Sequence, residues 1–192
     1  MNDRLKIIRN RFRQAGLEVF LRADLNCAKR DELLKLLRRF RSTFDIISVK
    51  CTNHNVAVVA ARDRRVDLIF FDYNIRNVWF NHSIANVTKA TLELNASAIL
   101  RATDHLVLTR MMKEVSNAQQ HGVDVILSSG CTSPFMVRAP TQLLGIGVIL
   151  GFNKTEVLES ITLIPSRIVK RNAERHSRNY VEEGVKVIVG SN

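Results

Sequence analysis

A chain that alternates short apolar runs with helically spaced stretches has few folds open to it. Residues 66–71 (VDLIFF) and 123–128 (VDVILS) are nearly continuous apolar runs of strand length, and 45–50 (DIISVK) and 91–95 (TLELN) read as further strands. Strands that lack a polar face belong where both faces are covered, as in a parallel sheet. Strand followed by helix, with no linker and no repeat, points to a single α/β domain over residues 1–192. The crossovers are short enough for a barrel, and the periodicity alone fits an open doubly wound sheet as well.

The helical stretches carry their own punctuation. Leu5, Ile8, Phe12 and Ala15 form a stripe over residues 1–15, with Lys6, Arg9 and Arg13 on one flank and Arg4 and Arg11 on the other. Residues 17–23 (LEVFLRA) read as a strand. Residues 31–41 read as a helix with Leu33, Leu36, Leu37 and Phe40 inward and Lys35, Arg38 and Arg39 outward. Helices are also expected over 55–62 and 78–89, and from a Thr103 cap to His121 with Gly122 just past the end. Pro140 suits a helix start and Gly151 a helix end. Asn153 with Glu156 forms a capping box, Pro165 opens the last helix, and 185–189 (VKVIV) closes the chain as a strand or extended segment. The pattern begins on a helix, as though a first strand were missing.

Charge narrows the partners. The net charge is +11, with +7 in residues 1–41, +1 in 42–166 and +3 in 167–192. Excess cations at two helical ends favour a polyanion, and nucleic acid above all. In the last helix Arg167, Arg171, Arg175 and Arg178 fall within about 80° of one another, a stripe roughly 16 Å long. Val169, Ala173, His176 and Tyr180 lie opposite, so the expectation is that one side packs while the other offers guanidinium groups to phosphates. Arg9, Arg13, Arg38, Arg39, Arg167, Arg171, Arg175 and Arg178 are the candidate RNA-facing residues on this charge pattern. Aromatic residues make up only 6% of the chain, which favours backbone and shape contacts over base stacking.

Enzymatic signatures are sparse. There is no Walker A sequence, no GxGxxG, no HxH and no HExxH. His54 and His82 could meet Asp72 in a folded barrel, and Asp24, Asp72 and Glu93 stand near strand ends, where barrel sites collect. Glu93 fits a carboxylate satisfied inside the core equally well. Residues 128–131 (SSGC) read either as a phosphate-cradling loop or as a plain strand-to-helix connection. Cys27, Cys51 and Cys131 are far apart, which suggests neither a disulfide framework nor a zinc knuckle. No catalytic or metal-ligating residue is assigned. No apolar run approaches the ~20 residues of a membrane span, and the chain reads as a soluble cytoplasmic protein without a membrane partner.

Several segments taken in order carry a family resemblance. Val66 to Phe70, Ala90 to Asn95 (ATLELN) and Val125 to Gly130 (VILSSG) are followed by Arg138–Ala139–Pro140 and a leucine-rich helix ending at Gly151. Ile161 to Pro165 and Glu183 to Ile188 (EGVKVI) complete the series. The chain resembles ribonuclease P protein component 3 over roughly residues 17–189. The resemblance implies an α/β, TIM-barrel-like fold similar to polymerase-and-histidinol-phosphatase hydrolases but without their metal-binding histidines. It departs from the family in lacking the first strand of the barrel and in having Ala139 where the family has a serine.

The resemblance implies a non-catalytic RNA-binding subunit of the ribonucleoprotein that removes 5′ leaders from precursor tRNA. Chemistry there resides in the RNA and its Mg²⁺, with no cofactor bound by this chain. Implied partners are the ribonuclease P RNA, precursor tRNA, and component 2 in a heterotetramer. Components 1 and 4 and a kink-turn-binding ribosomal protein complete the set. The alternative is a stand-alone metal-dependent phosphoesterase or nuclease on the same barrel, for which an HxH near the first strand would be expected. A structural protein of another RNA particle ranks last, because long basic tails are not seen.

Overall fold

The structure, a computed structural model, describes residues 3–102, 105–175, 180–182 and 185–186. It opens on α1 (Asp3–Gln14) and continues β1 (Arg22–Asn26), α2 (Arg30–Phe40), β2 (Ile46–Cys51), α3 (His54–Arg62) and β3 (Leu68–Phe71). Then follow α4 (His82–Ala85), β4 (Thr91–Asn95), α5 (Ala96–Arg101), α6 (Leu106–Gln120) and β5 (Val125–Ser128). The described residues end with α7 (Pro140–Leu150), α8 (Lys154–Ile161), α9 (Leu163–Arg175) and the antiparallel pair β6 (Tyr180–Glu182) and β7 (Val185–Lys186). Thr103 and residues 187–189 lie outside the described residues.

β1 to β5 form one parallel sheet whose spatial order follows the chain. Because successive side chains alternate between faces, each strand is divided in two. Leu25, Ile47, Val49, Cys51, Ile69, Phe71, Leu92, Leu94, Val125 and Leu127 enter the main core with Leu33, Leu37, Val56, Met111 and Val157 from the helices outside the sheet. The other face is polar over much of its area. Arg22 of β1 reaches Glu93 of β4 with two bonds of 2.7 and 2.5 Å, and Ser128 of β5 donates to the same carboxylate at 2.9 Å. In a flat sheet β1 and β4 would stand about 14 Å apart with their side chains upright. These bonds therefore require a strongly curled, barrel-like sheet.

The N-terminal end of the curl is plugged by α9. Ile164 and Ile168 pack on Leu68 and Ile126, with Ile46 beside them. The local signals work as physics requires. Gly151 ends α7 at φ 102°, a left-handed conformation that favours glycine. The Asn153 side chain accepts from the Glu156 N–H at 3.0 Å, and Glu156 accepts from the Asn153 N–H at 2.8 Å.

Three expectations are corrected. The first strand lies at Arg22–Asn26 and not at 17–23, and the short α5 had no counterpart in the sequence reading. The helix expected over 78–89 shrinks to His82–Ala85. Its upstream carbonyls are occupied by α6 side chains: Arg110 donates to Ile75 and Val78, and Asn117 to Phe80. With those acceptors taken, the segment runs as a tethered loop. Pro165 sits at the third position of α9, which begins at Leu163, so the proline falls in the first turn where its missing N–H costs nothing.

Candidate nucleic-acid interface

The two ends of the curled sheet treat their cations in opposite ways. At the N-terminal end, the fully buried Asp67 carboxylate accepts from Arg41 at 2.5 Å, from the Ile47 N–H at 2.8 Å and from Arg171 at 3.0 Å. Arg175 stands 3.8 Å from it. Arg167 pairs with Asp124 at 3.1 Å on the exposed rim, and Asn172 donates to the Asp45 carbonyl. Arg9 of α1 lies 3.8 Å from the Asp45 carboxylate, which also accepts from the Leu21 N–H.

This arrangement alters the reading of the last helix. Its inward stripe is Ile164, Ile168 and Asn172, while Ala173 is exposed. Positions 171 and 175 continue that stripe at helical spacing, so Arg171 and Arg175 turn inward to Asp67 instead of forming an open row. Arg178 lies outside the described residues. Arg13, Arg38 and Arg39 are exposed, with the Arg39 guanidinium 5.3 Å over the Phe40 ring. The stripe expected to seat α1 is largely uncovered, since Ile8 and Phe12 are both about half exposed.

At the C-terminal end, the mouth where barrel sites form, the cations are left facing a cleft. A cavity of about 460 Å³ is lined by Arg76, Arg101, Arg110 and Lys113 together with Tyr73, Trp79, Leu106 and Val107. No Asp or Glu lines it among the described residues. A second cavity of about 220 Å³ adjoins it through Tyr73, Asn74 and Arg101, and adds Lys50 of β2, Asp72 after β3 and Asn95 of β4. Lys50 bonds Asp72 at 2.7 Å. Burial works to raise the Asp72 carboxyl, but the bonds from Lys50 and Asn74 outweigh it and hold its pKa below the usual carboxylate value.

The cleft wall is fixed to α6. Glu114, fully buried, accepts from the Tyr73 hydroxyl at 2.7 Å and from the Phe80 N–H at 3.2 Å. Burial pushes the Glu114 carboxyl up, against the opposing pull of Tyr73 and Arg110. Burial first, then the Glu114 charge, also raises the Tyr73 phenol, so it remains a donor at neutral pH. Arg110 lies 5.0 Å over the Tyr73 ring and donates to the Ile75 carbonyl at 2.7 Å. Arg110 thus braces the wall, leaving Arg76, Arg101 and Lys113 exposed at the rim.

None of these cleft cations was singled out from the sequence. Residues 42–166 sum to only +1, yet Asp45, Asp67 and Asp124 sit at one end, Glu93 and Glu114 are buried, and Arg76, Arg101 and Lys113 stand at the other. The usable signal was cations just past the ends of predicted strands.

The remaining candidates resolve singly. Glu93 is the core-satisfied carboxylate, and Asp24 bonds Arg22 at 2.7 Å. His82 meets His121 at 3.1 Å and not Asp72, while His54 is exposed at the start of α3. Ser128 bonds Glu93 and Asn95; beyond it, Gly130 at φ 56° passes so near Asn95 that a Cβ would sit 2.6 Å from that side chain. Cys131 is exposed. Among the described residues no three His, Cys, Asp or Glu are grouped to hold a metal, and no helix is long and apolar enough to cross a membrane.

A family described as RNase P subunit p30 matches residues 5–177. The chain belongs to the RNase P subunit p30 family. Its role is therefore that of a protein subunit of an RNA-processing particle. Ribonuclease P protein component 3 of Methanosarcina barkeri is 30% identical over 178 residues, covering 89% of this chain and 73% of that protein. The protein of the same name from Methanococcoides burtonii is 25% identical over 182 residues, covering 90% and 73%. A chain in a cryo-EM structure of archaeal Ribonuclease P with mature tRNA matches with a TM-score of 0.88 over 100% of this chain and 85% of that one. Identity there is 17%, so this likeness speaks for the fold. The barrel-like α/β fold is the one that the family resemblance implied, where the strand pattern alone had left an open doubly wound sheet as an alternative.

Proposed function

We propose that the chain is a non-catalytic RNA-binding subunit of ribonuclease P, assisting the RNA as it removes the 5′ leader from precursor tRNA. The observation that carries this reading is the cleft at the C-terminal mouth, which gathers four cations and, among the described residues, no carboxylate. A folded RNA crowds phosphates together, and a protein of net charge +11 lowers their repulsion. Chemistry stays with the RNA and its Mg²⁺. The ribonuclease P RNA and precursor tRNA are its partners, together with component 2 as a heterotetramer, components 1 and 4 and a kink-turn-binding ribosomal protein. The family resemblance supports that set, and the particle operates in the cytoplasm. The exposed Arg13, Arg38 and Arg39 are further RNA contacts, whereas Arg9, Arg167, Arg171 and Arg175 reach RNA only as far as their aspartates release them.

The test is precursor-tRNA cleavage by the cognate RNA with component 2, with and without this chain, beside a reaction lacking RNA. The expected result is RNA-dependent cleavage that the chain enhances at low Mg²⁺, with the Arg76→Ala/Arg101→Ala variant shifting the requirement to higher Mg²⁺. Metal-dependent cutting without RNA would instead establish the stand-alone nuclease.

A further inference from the structure

The chain is poor in aromatics, yet its single Trp stands beside a Tyr in the same cleft that gathers four cations. Phosphate binding alone gives no reason for that company. A duplex presents phosphates and a shallow groove, and its bases stay stacked inside. A cavity of about 460 Å³ is too small for a duplex but within the range that encloses one small ligand. Ala102, Leu106 and Val107 supply apolar wall next to Trp79, and such a wall gains by taking an aromatic base out of water. Arg76, Arg101 and Lys113 supply charge for the phosphate that follows the base.

Pre-organisation strengthens the case. The loop bearing Tyr73, Arg76 and Trp79 is tied to α6 through Tyr73 to Glu114, Phe80 to Glu114, Arg110 to Ile75 and Asn117 to Phe80. A wall held in place costs little further ordering when a ligand arrives.

We propose that this cleft receives a single unpaired nucleotide of the RNA, its base against Trp79 and its phosphate between Arg76 and Arg101. The inference rests on the RNA-binding reading and adds to it a preference for unpaired RNA. It confines base recognition to this one place, while the rest of the surface makes backbone contacts.

Trp79 is the only Trp, so its emission reports the cleft directly. The full chain is titrated with a single-stranded RNA 12-mer and with the blunt duplex of the same sequence. Binding is followed in parallel by anisotropy of labelled RNA. The single strand is expected to quench Trp79 in step with binding, and the duplex to bind without quenching. Trp79→Ala is expected to weaken single-strand binding about tenfold and leave duplex binding unchanged, with Trp79→Phe restoring most of the loss. If Trp79→Ala fails to fold, wild-type quenching and Trp79→Phe still decide the matter. RNA that binds without altering Trp79 emission, and with equal affinity for both forms, overturns the nucleotide site and leaves the RNA-binding reading standing. Failure of every RNA to bind overturns both. A uridine or adenosine monophosphate that quenches while the 12-mer does not would mark a free-nucleotide site and also overturn the proposal.

Discussion

The N-terminal and C-terminal ends of this sheet are built from the same basic residue types and use them for opposite purposes. Below, Arg41, Arg171 and Arg175 converge on one buried aspartate, and Arg9 and Arg167 stand by Asp45 and Asp124. Above, Arg76, Arg101 and Lys113 face a cleft that no carboxylate lines among the described residues. An arginine is a lock where an acid of its own chain meets it and a docking group where none does. A count along the sequence cannot separate the two.

The sharpest way to break this contrast is at Asp67. Asp67→Ala takes the carboxylate acceptor from Arg41, Arg171 and the Ile47 N–H, and a nearby counter-charge from Arg175. A loss of about 3–5 kcal/mol in unfolding free energy is expected, as for other buried pairs deprived of one partner. Urea denaturation measures it, and a cost below about 1 kcal/mol would show that the N-terminal arginines are not structural locks.

Exchanging the two ends gives the next effect. Arg171→Ala is expected to cost about 1.5–3 kcal/mol of stability, the scale of a hydrogen bond to a charged group, with the salt slope of RNA binding unchanged. Arg101→Ala is expected to leave the melting temperature in place and lower the slope by about 0.7–0.9 for the lost phosphate contact. Finding the two outcomes interchanged would reverse the assignment of the ends.

Arg167 tests the boundary between them. Its pair with Asp124 is exposed on both sides, so Arg167→Ala should change stability by less than about 1 kcal/mol. Any larger change in RNA affinity would move this residue into the docking class.

The smallest effect concerns pH. The bond from Arg65 holds the Asp63 carboxyl below its usual pKa despite partial burial. A depressed folded value means that its stabilisation is present above the unfolded pKa and lost as pH falls through the folded one. Asp63→Asn should therefore flatten the acid limb of the stability curve below about pH 4 and act little on pH dependence near neutrality. An acid limb identical to that of the parent chain would remove Asp63 from the structural set.

The strands at 45–50, 66–71, 91–95 and 123–128, the Pro140 and Gly151 boundaries and the Asn153–Glu156 cap were legible in the amino-acid sequence. Apolar period and capping are relations between residues a few positions apart, and burial only reinforces them. The segment 78–89 was misread for a non-local reason: α6 side chains take carbonyls that a helix would have used.

What the order of residues determined by itself was the α/β class, the run of parallel strands and a cationic surplus suited to RNA. Only the tertiary structure decided where that surplus is available. Arg171 and Asp67 are 104 positions apart, and Arg22 and Glu93 are 71. Whether two charges cancel depends on distance and dielectric in space, and the curl of the sheet sets both.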